Sequence, residues 1–538
     1  MTQRASSIPS IRAIPWLAAT ALVPGVMVLQ HWDPCDTTVA IASGSSLLHI
    51  GLCLATGVLT GLGVAIEPAS IRSHRAPSDR WLRVALIAAC ALAIAWLAWG
   101  TSTVSGRGNS RFAVNGFWQW TSMLVWSTSV GLLATRPGFS RAAITGLLAL
   151  GVGVLVYGYW EYMVIQPSLR RQLERNPAEL FRREGIAAES SAALLLADRI
   201  RSTEMKGVYA LANSLGGFLA GLWVLVFGLW MSRGIPSFAS WISRVKFGFF
   251  AALLACIGAA LLLTKSRTAW IAAGSGTLMA TMIVAWVAGR ISKRALGVGS
   301  IVASAVLALA VWVVYFFDPL IVQEAGKSLA YRFDYWQGAI ALIASEPWRG
   351  FGVGGFQSTY LQVKLPTAAE SPADPHNFLL ETAHAGGVPL LLLVSAAIGL
   401  SSWIVVAGMR GQQTWEREAV TSKGIAIAFW SGAVLAVALQ LLWSYVTASD
   451  ERSLGTVIAF AVSAAIAALV SPWIGSSTSA QPLVQSSVVL WLVLVVQLVH
   501  GLASGGWLLP GTMGIGMIAI GLALGGGYRG EGVEQGWG

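Results

Sequence analysis

Residues 386–408 read GGVPLLLLVSAAIGLSSWIVVAG and contain no charged side chain. About 20 consecutive apolar residues are enough for an α-helix to cross the hydrocarbon core of a bilayer. Runs of this kind recur between residues 14 and 526, separated by short charged stretches. Because only helices and closed barrels satisfy their backbone hydrogen bonds in lipid, the pattern predicts an all-α, polytopic transmembrane helical bundle.

The composition leaves room for little besides membrane spans. Of 538 residues, 55% are hydrophobic and 11% are charged, whereas a soluble domain carries about 25% charged residues. We expect about 12–14 spans and two long loops that contain short helices. The predicted spans cover residues 14–30, 47–66, 81–100, 115–134, 142–160, 207–231, 247–264, 269–289, 298–317, 386–408, 424–446, 455–471, 488–503 and 507–526.

The positive charge of the chain indicates a membrane orientation. A formal net charge of +11 would suggest nucleic acid as a partner of a soluble protein. Here the basic residues lie mostly in alternate short loops, for example Arg72, Arg136, Arg244, Lys293 and Arg410, as the positive-inside rule requires. We therefore expect both termini in the cytoplasm, the loops 161–206 and 318–385 on the outer side, and no nucleic-acid partner.

This orientation predicts five regions. They are N-terminal transmembrane helices over 1–160, a periplasmic amphipathic loop over 161–206, helices that carry the first arginine over 207–317, a large periplasmic catalytic loop over 318–385, and C-terminal helices over 386–538. The first apolar run lacks a small-x-small cleavage site, which predicts a retained helix.

The cysteines do not suggest a disulfide framework or a metal site. Cys53, Cys90 and Cys256 fall within apolar runs, and Cys35 lies in a loop. There is no CxxC pair and no Cys/His cluster. The sequence therefore predicts neither a metal nor a cofactor.

Polar side chains on the predicted outer side cluster in three places, where burial in lipid would be costly. The first is Lys265-Ser266-Arg267, in a very short turn between two spans. Arg267 could anchor a helix end by snorkelling to the interface. It could also bind a phosphate group, which guanidinium contacts in bidentate fashion.

The second cluster is YRFDYW over 331–336, followed by PWRGFGVGGF over 347–356. The glycines predict a tight turn, and the absence of a following Gly-Lys-Ser/Thr excludes a Walker loop. Arg332 could form a salt bridge with Asp334 or Asp318, or it could bind an anion.

The third cluster is DPHNFLLETAHAGG over 374–387. Asp374 before a proline predicts a helix start, with His376 in the first turn and Glu381 about one and a half turns later. His376 and His384 are too far apart for one metal site. A lone histidine is most often structural, but one near two arginines could act as a general base at neutral pH.

Together these clusters resemble the O-antigen ligase and O-antigen polymerase superfamily of bacterial inner-membrane glycosyltransferases. The residues that carry the resemblance are Ser266-Arg267, Arg332 with Tyr335-Trp336, Pro347 with Gly350-Phe351-Gly352, Pro375-His376-Asn377 through Glu381 and Gly386, and Asn213 before a span. The resemblance covers about 210–405, and the remainder is similar only in hydropathy.

The resemblance implies a GT-C-like bundle in the bacterial inner membrane with a periplasmic active site. The donor would be a glycan on polyprenyl (undecaprenyl) diphosphate, and the acceptor a hydroxyl on lipid A-core, another glycan or a protein. Transfer would be metal-independent and would invert the anomeric carbon. By the same resemblance, Arg267 and Arg332 would grip the diphosphate and His376 would deprotonate or orient the acceptor. Weaker substrate-binding candidates are Arg349, Asn213, Asn377, Glu381 and Tyr335.

Other functions remain open at this point. A Wzy-like polysaccharide polymerase or a protein O-oligosaccharyltransferase would share the His-Asn box. A transporter or flippase would place charged residues within its spans and would break helices in paired halves, whereas the predicted spans are nearly free of charge. A purely structural or sensor role would leave two arginines and a histidine without a purpose.

Overall fold

The computed structural model describes residues 11–32, 47–67, 77–106, 108–232, 241–287, 292, 319–366, 368, 370–408, 421–448, 450–474, 481–506 and 509–526. Within these ranges every regular element is helical. The first helices are α1 (Ile14–Trp32), α2 (Leu47–Ile66), α3 (Pro77–Ser102), α4 (Ser110–Ala134), α5 (Phe139–Trp160), α6 (Gln166–Arg175), α7 (Pro177–Arg183), α8 (Ser191–Arg201) and α9 (Ala212–Ser232). The later ones are α10 (Trp241–Leu263), α11 (Arg267–Val287), α12 (Pro319–Ser345), α13 (Phe356–Tyr360), α14 (Phe378–Gly408), α15 (Ser422–Thr447), α16 (Asp450–Ile474), α17 (Gln481–Gly501) and α18 (Pro510–Gly526).

The helices confirm the predicted polytopic, all-α membrane protein. Among the described residues, 9 helices are long and apolar enough to cross a bilayer, and shorter apolar helices cover Ser487–Gly501 and Pro510–Gly525. Large side chains stay exposed on the outside of the bundle, for example Val434 at 71% and Trp443 at 64%. In a soluble protein such surfaces would be unusual, whereas lipid covers them here. The span predicted at 298–317 lies outside the described residues.

Small residues let the helices approach one another closely, as they do in membrane bundles generally. A Cβ added at Gly432 in α15 would lie 1.9 Å from the carbonyl oxygen of Ala21 in α1. One added at Gly525 in α18 would lie 2.3 Å from the carbonyl oxygen of Gly131 in α4. Since apolar side chains gain little by leaving lipid for protein, this backbone proximity is a main source of packing energy.

The loop over 161–206 folds into short helices, as the sequence predicts. The π-helical turn Glu161–Ile165 leads from α5 into α6, and α7 and α8 follow. Their apolar faces form a hydrophobic cluster of their own, made of Leu173, Leu180, Phe181, Ala193, Ala197 and Ile200. The end of the loop is tied to the α10–α11 turn, because Lys265 Nζ donates to Thr203 Oγ1 (2.6 Å) and Met205 N donates to the Leu263 carbonyl (3.0 Å).

Helix α14 is interrupted near its start. Gly386 and Gly387 have non-helical dihedrals, and Gly387 has φ +72°, a conformation that glycine adopts without steric cost. The glycine-rich turn after α12 docks at this break. Phe351 N donates to the His384 carbonyl (2.8 Å), Gly352 N to Ala385 (3.0 Å), and Val388 N to Pro347 (2.8 Å). The segment before the break is therefore held by the loop that follows α12.

Candidate active site

His376 and Asp374 form a hydrogen-bonded pair. His376 Nδ1 lies 2.8 Å from Asp374 Oδ1, and the same oxygen accepts the His376 backbone N–H at 2.8 Å. About a third of the His376 side chain is exposed, against 11% for Asp374. Because the aspartate accepts a proton at Nδ1, neutral His376 carries its lone pair on Nε2. That is the arrangement of a histidine oriented to act as a base.

Asp374 and His376 each shift the pKa of the other. Burial alone would lower the pKa of His376, but the charge and hydrogen bond of Asp374 outweigh it, so the pKa is raised. For Asp374, burial alone would raise the pKa. The proximity of His376 and the backbone N–H groups of His376 and Gly506 overcome that effect and hold the pKa below its usual range. Asp374 therefore stays ionised while His376 titrates.

His376 has a strained backbone. Its φ is +51°, and the other non-glycine residue with positive φ in the described chain is Lys265, at +54°, two positions before Arg267. Such left-handed conformations cost about 1–3 kcal/mol and persist only where surrounding contacts impose them. Both strained positions thus lie at or next to residues that the sequence selected.

The predicted helix start at Asp374 is wrong by several residues. Helix α14 begins at Phe378, and His376 precedes it instead of lying in its first turn. Asn377 is the cap, since its Oδ1 accepts the backbone N–H groups of Leu379 (3.0 Å) and Leu380 (3.2 Å). The Asp374 carboxylate could also have capped a helix, but the left-handed turn at His376 directs it to the imidazole.

Helix α12 packs directly on this segment. Trp336 Nε1 donates to the Pro375 carbonyl (3.0 Å), and the ring of Tyr335 meets the His376 ring edge-on with centroids 5.8 Å apart. The buried Tyr335 hydroxyl donates to Glu370. Burial, followed by this carboxylate, raises the pKa of Tyr335 well above its usual range, so the phenol remains a donor at neutral pH.

Arg332 lies on the same face of α12, one turn before Tyr335 and Trp336. Among the described residues its guanidinium has no hydrogen-bond or ion-pair partner, and the predicted alternative of a bridge to Asp334 is not observed; Asp318 is outside the described residues. The pKa of Arg332 is lowered, chiefly by burial. Tyr335 acts in the opposite direction, and the positive charge of Arg267 lowers the pKa further. Arginine nevertheless stays protonated, so Arg332 carries a half-buried charge.

Arg267 is the first residue of α11 and is half-buried. It interacts electrostatically with Arg332, and Arg332 in turn interacts with His376 and with His500. The fold therefore brings Arg267, Arg332 and His376 to one end of the bundle, although 109 residues separate the first from the last in sequence. Two like charges held within interaction range disfavour each other and favour an anion between them.

A turn near the C-terminus completes the site. Residues 502–506 join α17 to the segment before α18 and pack against the His376 pair. The Gly506 backbone N–H donates to the Asp374 carboxylate, and Asn377 Nδ2 donates to the Leu502 carbonyl (3.0 Å). A Cβ at Gly505 would lie 2.3 Å and 2.4 Å from the Asp374 oxygens and 2.4 Å from His376 Nδ1. This turn therefore fixes where the pair can lie.

The close contact at Gly505 gives a direct prediction. Gly505→Ala should displace the Asp374–His376 pair, and we expect turnover at this site to fall by about a hundredfold, as misplacements near 1 Å do. Membrane insertion and thermal stability should change little. The measurement is turnover per folded molecule. The matched control is Gly274→Ala in α11, where an added Cβ meets nothing within 4 Å. Equal activity of both variants would show that the turn does not position the pair.

The other residues that the sequence analysis discussed differ in whether they interact with the Asp374–His376 pair. Glu381 interacts electrostatically with Asp374, and its buried Oε2 has no hydrogen-bond partner among the described residues. The Asn213 carbonyl accepts from His500 Nε2 (3.1 Å). Arg349 pairs with Glu346 (3.6 Å) at the end of α12, with no contact to His376 in the described chain. His384 Nε2 lies 2.9 Å from Thr359 Oγ1, which is a structural role.

Sequence reasoning missed several participants. It assigned Asp374 to a helix start and passed over Glu370, His500 and the 502–506 turn. Only one cue was available for Asp374, a carboxylate two residues before the histidine. The C-terminal turn has no local signal, because glycine and serine between two short apolar runs indicate only a loop.

Part of the chain matches a known protein family. Residues 249–395 match the family model described as O-Antigen ligase, about a quarter of the chain. No curated protein matches the chain. The matched segment contains Arg267, Arg332 and His376, and excludes Asn213 and the 502–506 turn. The match supports a membrane glycosyltransferase activity of the O-antigen ligase or polymerase type.

Proposed function

From the O-antigen ligase domain that this chain carries over residues 249–395, we propose that it transfers a glycan from polyprenyl diphosphate to an acceptor hydroxyl. In this proposal the site faces the periplasm of a bacterial inner membrane, transfer needs no metal, and the anomeric carbon is inverted. The acceptor is lipid A-core in the O-antigen ligase reading.

One observation carries the proposal. A histidine held by an aspartate lies within interaction range of an arginine that has no protein partner among the described residues, and that arginine interacts with a second one. Transfer from a diphosphate requires a base and positively charged side chains that bind the diphosphate, and His376 with the two arginines would supply both. A structural role would instead pair the charge of Arg332 with a carboxylate, since buried unpaired charges are costly.

In the proposed reaction the acceptor oxygen attacks the anomeric carbon while the bond from that carbon to the diphosphate oxygen breaks. The acceptor proton moves to His376 Nε2, and Asp374 stabilises the imidazolium that forms. General-base help of this kind contributes about 10²–10⁴-fold in rate. The proton leaves to water after the product departs, which restores the neutral histidine.

The leaving lipid diphosphate gains negative charge as its bond to the sugar breaks. Arg332 and Arg267 would stabilise that negative charge electrostatically, and the negative charge would in turn reduce the repulsion between the two guanidinium groups. One preorganised donor of this kind accounts for about 10²–10³-fold in rate in other enzymes.

A polysaccharide polymerase and a protein O-oligosaccharyltransferase would use the same chemistry and differ only in the acceptor. Transport is less well supported. The site groups its polar residues at one end of the bundle, whereas a secondary transporter needs them near the middle of the membrane.

Deletion of the gene in its own host tests the function and separates the acceptors. We expect loss of one product, namely glycan-capped lipid A-core, long-chain polymer or a glycoprotein, and accumulation of the lipid-linked donor. Membranes from the complemented strain should restore transfer equally with and without EDTA. Unchanged glycolipids after deletion would contradict the proposal, and loss of transfer in EDTA would contradict metal independence.

A further inference from the structure

The short turn between α10 and α11 determines where Arg267 lies. Helix α10 ends at Leu263 and α11 begins at Arg267, so three residues join the two helices. The middle one, Lys265, has a left-handed backbone with φ +54°. Such a conformation persists only where surrounding contacts impose it. Contacts that hold this turn therefore also hold the start of α11, and Arg267 with it.

The segment 202–206 supplies two such contacts from a distant part of the sequence. Lys265 Nζ donates to Thr203 Oγ1 (2.6 Å) across 62 positions. Met205 N donates to the Leu263 carbonyl (3.0 Å), and the Met205 side chain is fully buried. Because the Thr203 hydroxyl is neutral, its bond directs the Lys265 side chain without cancelling the charge of the ammonium group.

The segment 202–206 is itself held in place by α6. Arg170 Nη2 donates to the Ser202 carbonyl (2.6 Å). Four residues earlier on the same helix, Gln166 Nε2 donates to the Glu204 carbonyl (2.8 Å). These contacts do not involve the α10–α11 turn. The turn is therefore attached to a segment whose own position is fixed by other parts of the fold.

Arg267 needs such support because of its neighbour. Arg267 and Arg332 are both positively charged and interact electrostatically, so they repel each other while no anion lies between them. Contacts that hold the α10–α11 turn oppose this repulsion. Donors that are already in place when the substrate arrives stabilise developing charge without a cost of reorganisation.

We propose that the segment 202–206 positions Arg267 for diphosphate binding, through the Lys265–Thr203 hydrogen bond and the backbone bond from Met205 to Leu263. The proposal rests on the proposed function, in which Arg267 binds the lipid diphosphate. It gives the loop over 161–206 a role in the reaction, although this loop lies outside the family match. Lys265 and Thr203 act through Arg267 and do not contact the substrate.

The test measures the binding of undecaprenyl diphosphate, without a glycan, to the full chain in lipid nanodiscs. Thr203→Val replaces the hydroxyl by a methyl group, and we expect it to weaken binding about threefold to tenfold, the effect of one lost hydrogen bond. Thr203→Ser keeps the hydroxyl and should bind as wild type. Lys265→Met should resemble Thr203→Val. The double variant should bind no more weakly than either single one, because both changes remove the same bond.

A second background separates positioning from a general effect on the fold. In Arg267→Ala, the further change Thr203→Val should cause no additional loss of binding, because the side chain that the segment positions is absent. The matched control is Thr128→Val in α4. Thr128 is also exposed, but its hydroxyl donates to the Leu124 carbonyl of its own helix (2.8 Å). This variant should bind as wild type.

Three results would overturn the positioning role. Wild-type binding in Thr203→Val together with weakened binding in Lys265→Met would mean that Lys265 contacts the diphosphate itself. Wild-type binding in both variants would mean that the bond does not position Arg267. An equal loss from Thr203→Val with and without Arg267 would assign the effect to the fold as a whole. Failure of the proposed function looks different, because the wild-type chain would then neither bind undecaprenyl diphosphate nor transfer a glycan.

Discussion

Replacing His376 by asparagine should abolish glycan transfer while the protein still folds and inserts. Asparagine tolerates the left-handed backbone at φ +51° better than most residues, so the change removes the base and preserves the turn. We expect a loss of at least about 10²–10⁴-fold, the usual contribution of general-base catalysis. The measurement is single-turnover transfer with saturating donor and acceptor, normalised to folded protein.

The control for this variant is His384→Gln. His384 is buried, and its Nε2 lies 2.9 Å from Thr359 Oγ1, a contact that the glutamine amide can keep. Its turnover per folded molecule should stay near wild type. If His376→Asn retained more than a tenth of the activity, His376 would not be the base.

The pH dependence distinguishes a base from a structural histidine. Because Asp374 raises the pKa of His376, the neutral form that acts as a base is lost as pH falls through a value above the usual 6.5. The rate should therefore decline on the acidic side, beginning near neutral pH. In Asp374→Asn the pKa of His376 should fall, which moves this decline to lower pH even though the maximal rate drops. An unmoved profile would remove Asp374 from the positioning role.

Arg332→Lys is expected to be almost as damaging as Arg332→Ala. Lysine keeps the charge but cannot form the planar two-point contact with phosphate oxygens. Loss of one such donor reduces turnover by about 10²–10³-fold. The apparent KM for the lipid-linked donor should rise as well, because the guanidinium holds the diphosphate before and during transfer. Steady-state kinetics with varied donor measure both quantities.

A surface arginine supplies the comparison for Arg332. Arg182 in α7 is 78% exposed and pairs with Glu179, and exposed pairs of this kind contribute about 0–1 kcal/mol. Arg182→Lys should behave as wild type. Should Arg332→Lys do the same, the role of the guanidinium would reduce to a general positive charge, and the bidentate contact would be refuted.

The sequence predicted the membrane architecture well, because the hydrocarbon core imposes one physical requirement on every span. Helix α2 illustrates this, since it was predicted at 47–66 and runs over Leu47–Ile66. Helix α14 was less predictable. Its membrane portion was expected to begin at residue 386, but the helix begins at Phe378 and is interrupted at Gly386 and Gly387. Hydropathy does not predict the helical segment before the break, because that segment is surrounded by protein and not by lipid.

Sequence analysis selected the ionisable residues of the candidate site but did not predict how they are arranged in space. The sequence analysis selected Arg267, Arg332 and His376 because ionisable residues beside apolar spans are costly to bury in lipid and often mark functional sites. The Asp374–His376 bond depends on a left-handed turn that no local pattern indicates. The packing of Gly505 against this pair joins positions 129 residues apart in sequence, and hydropathy contains no information about such contacts.

The interruption of α14 also has a mechanical consequence. If α14 were one rigid helix across the membrane, any change in its tilt caused by a thicker or thinner bilayer would displace the His376 imidazole at its end. The break at Gly386 and Gly387 separates the two parts of the helix, and the backbone hydrogen bonds from Phe351 and Gly352 hold the short part before the break against its neighbours. Geometry around the imidazole is thereby insulated from the lipid environment.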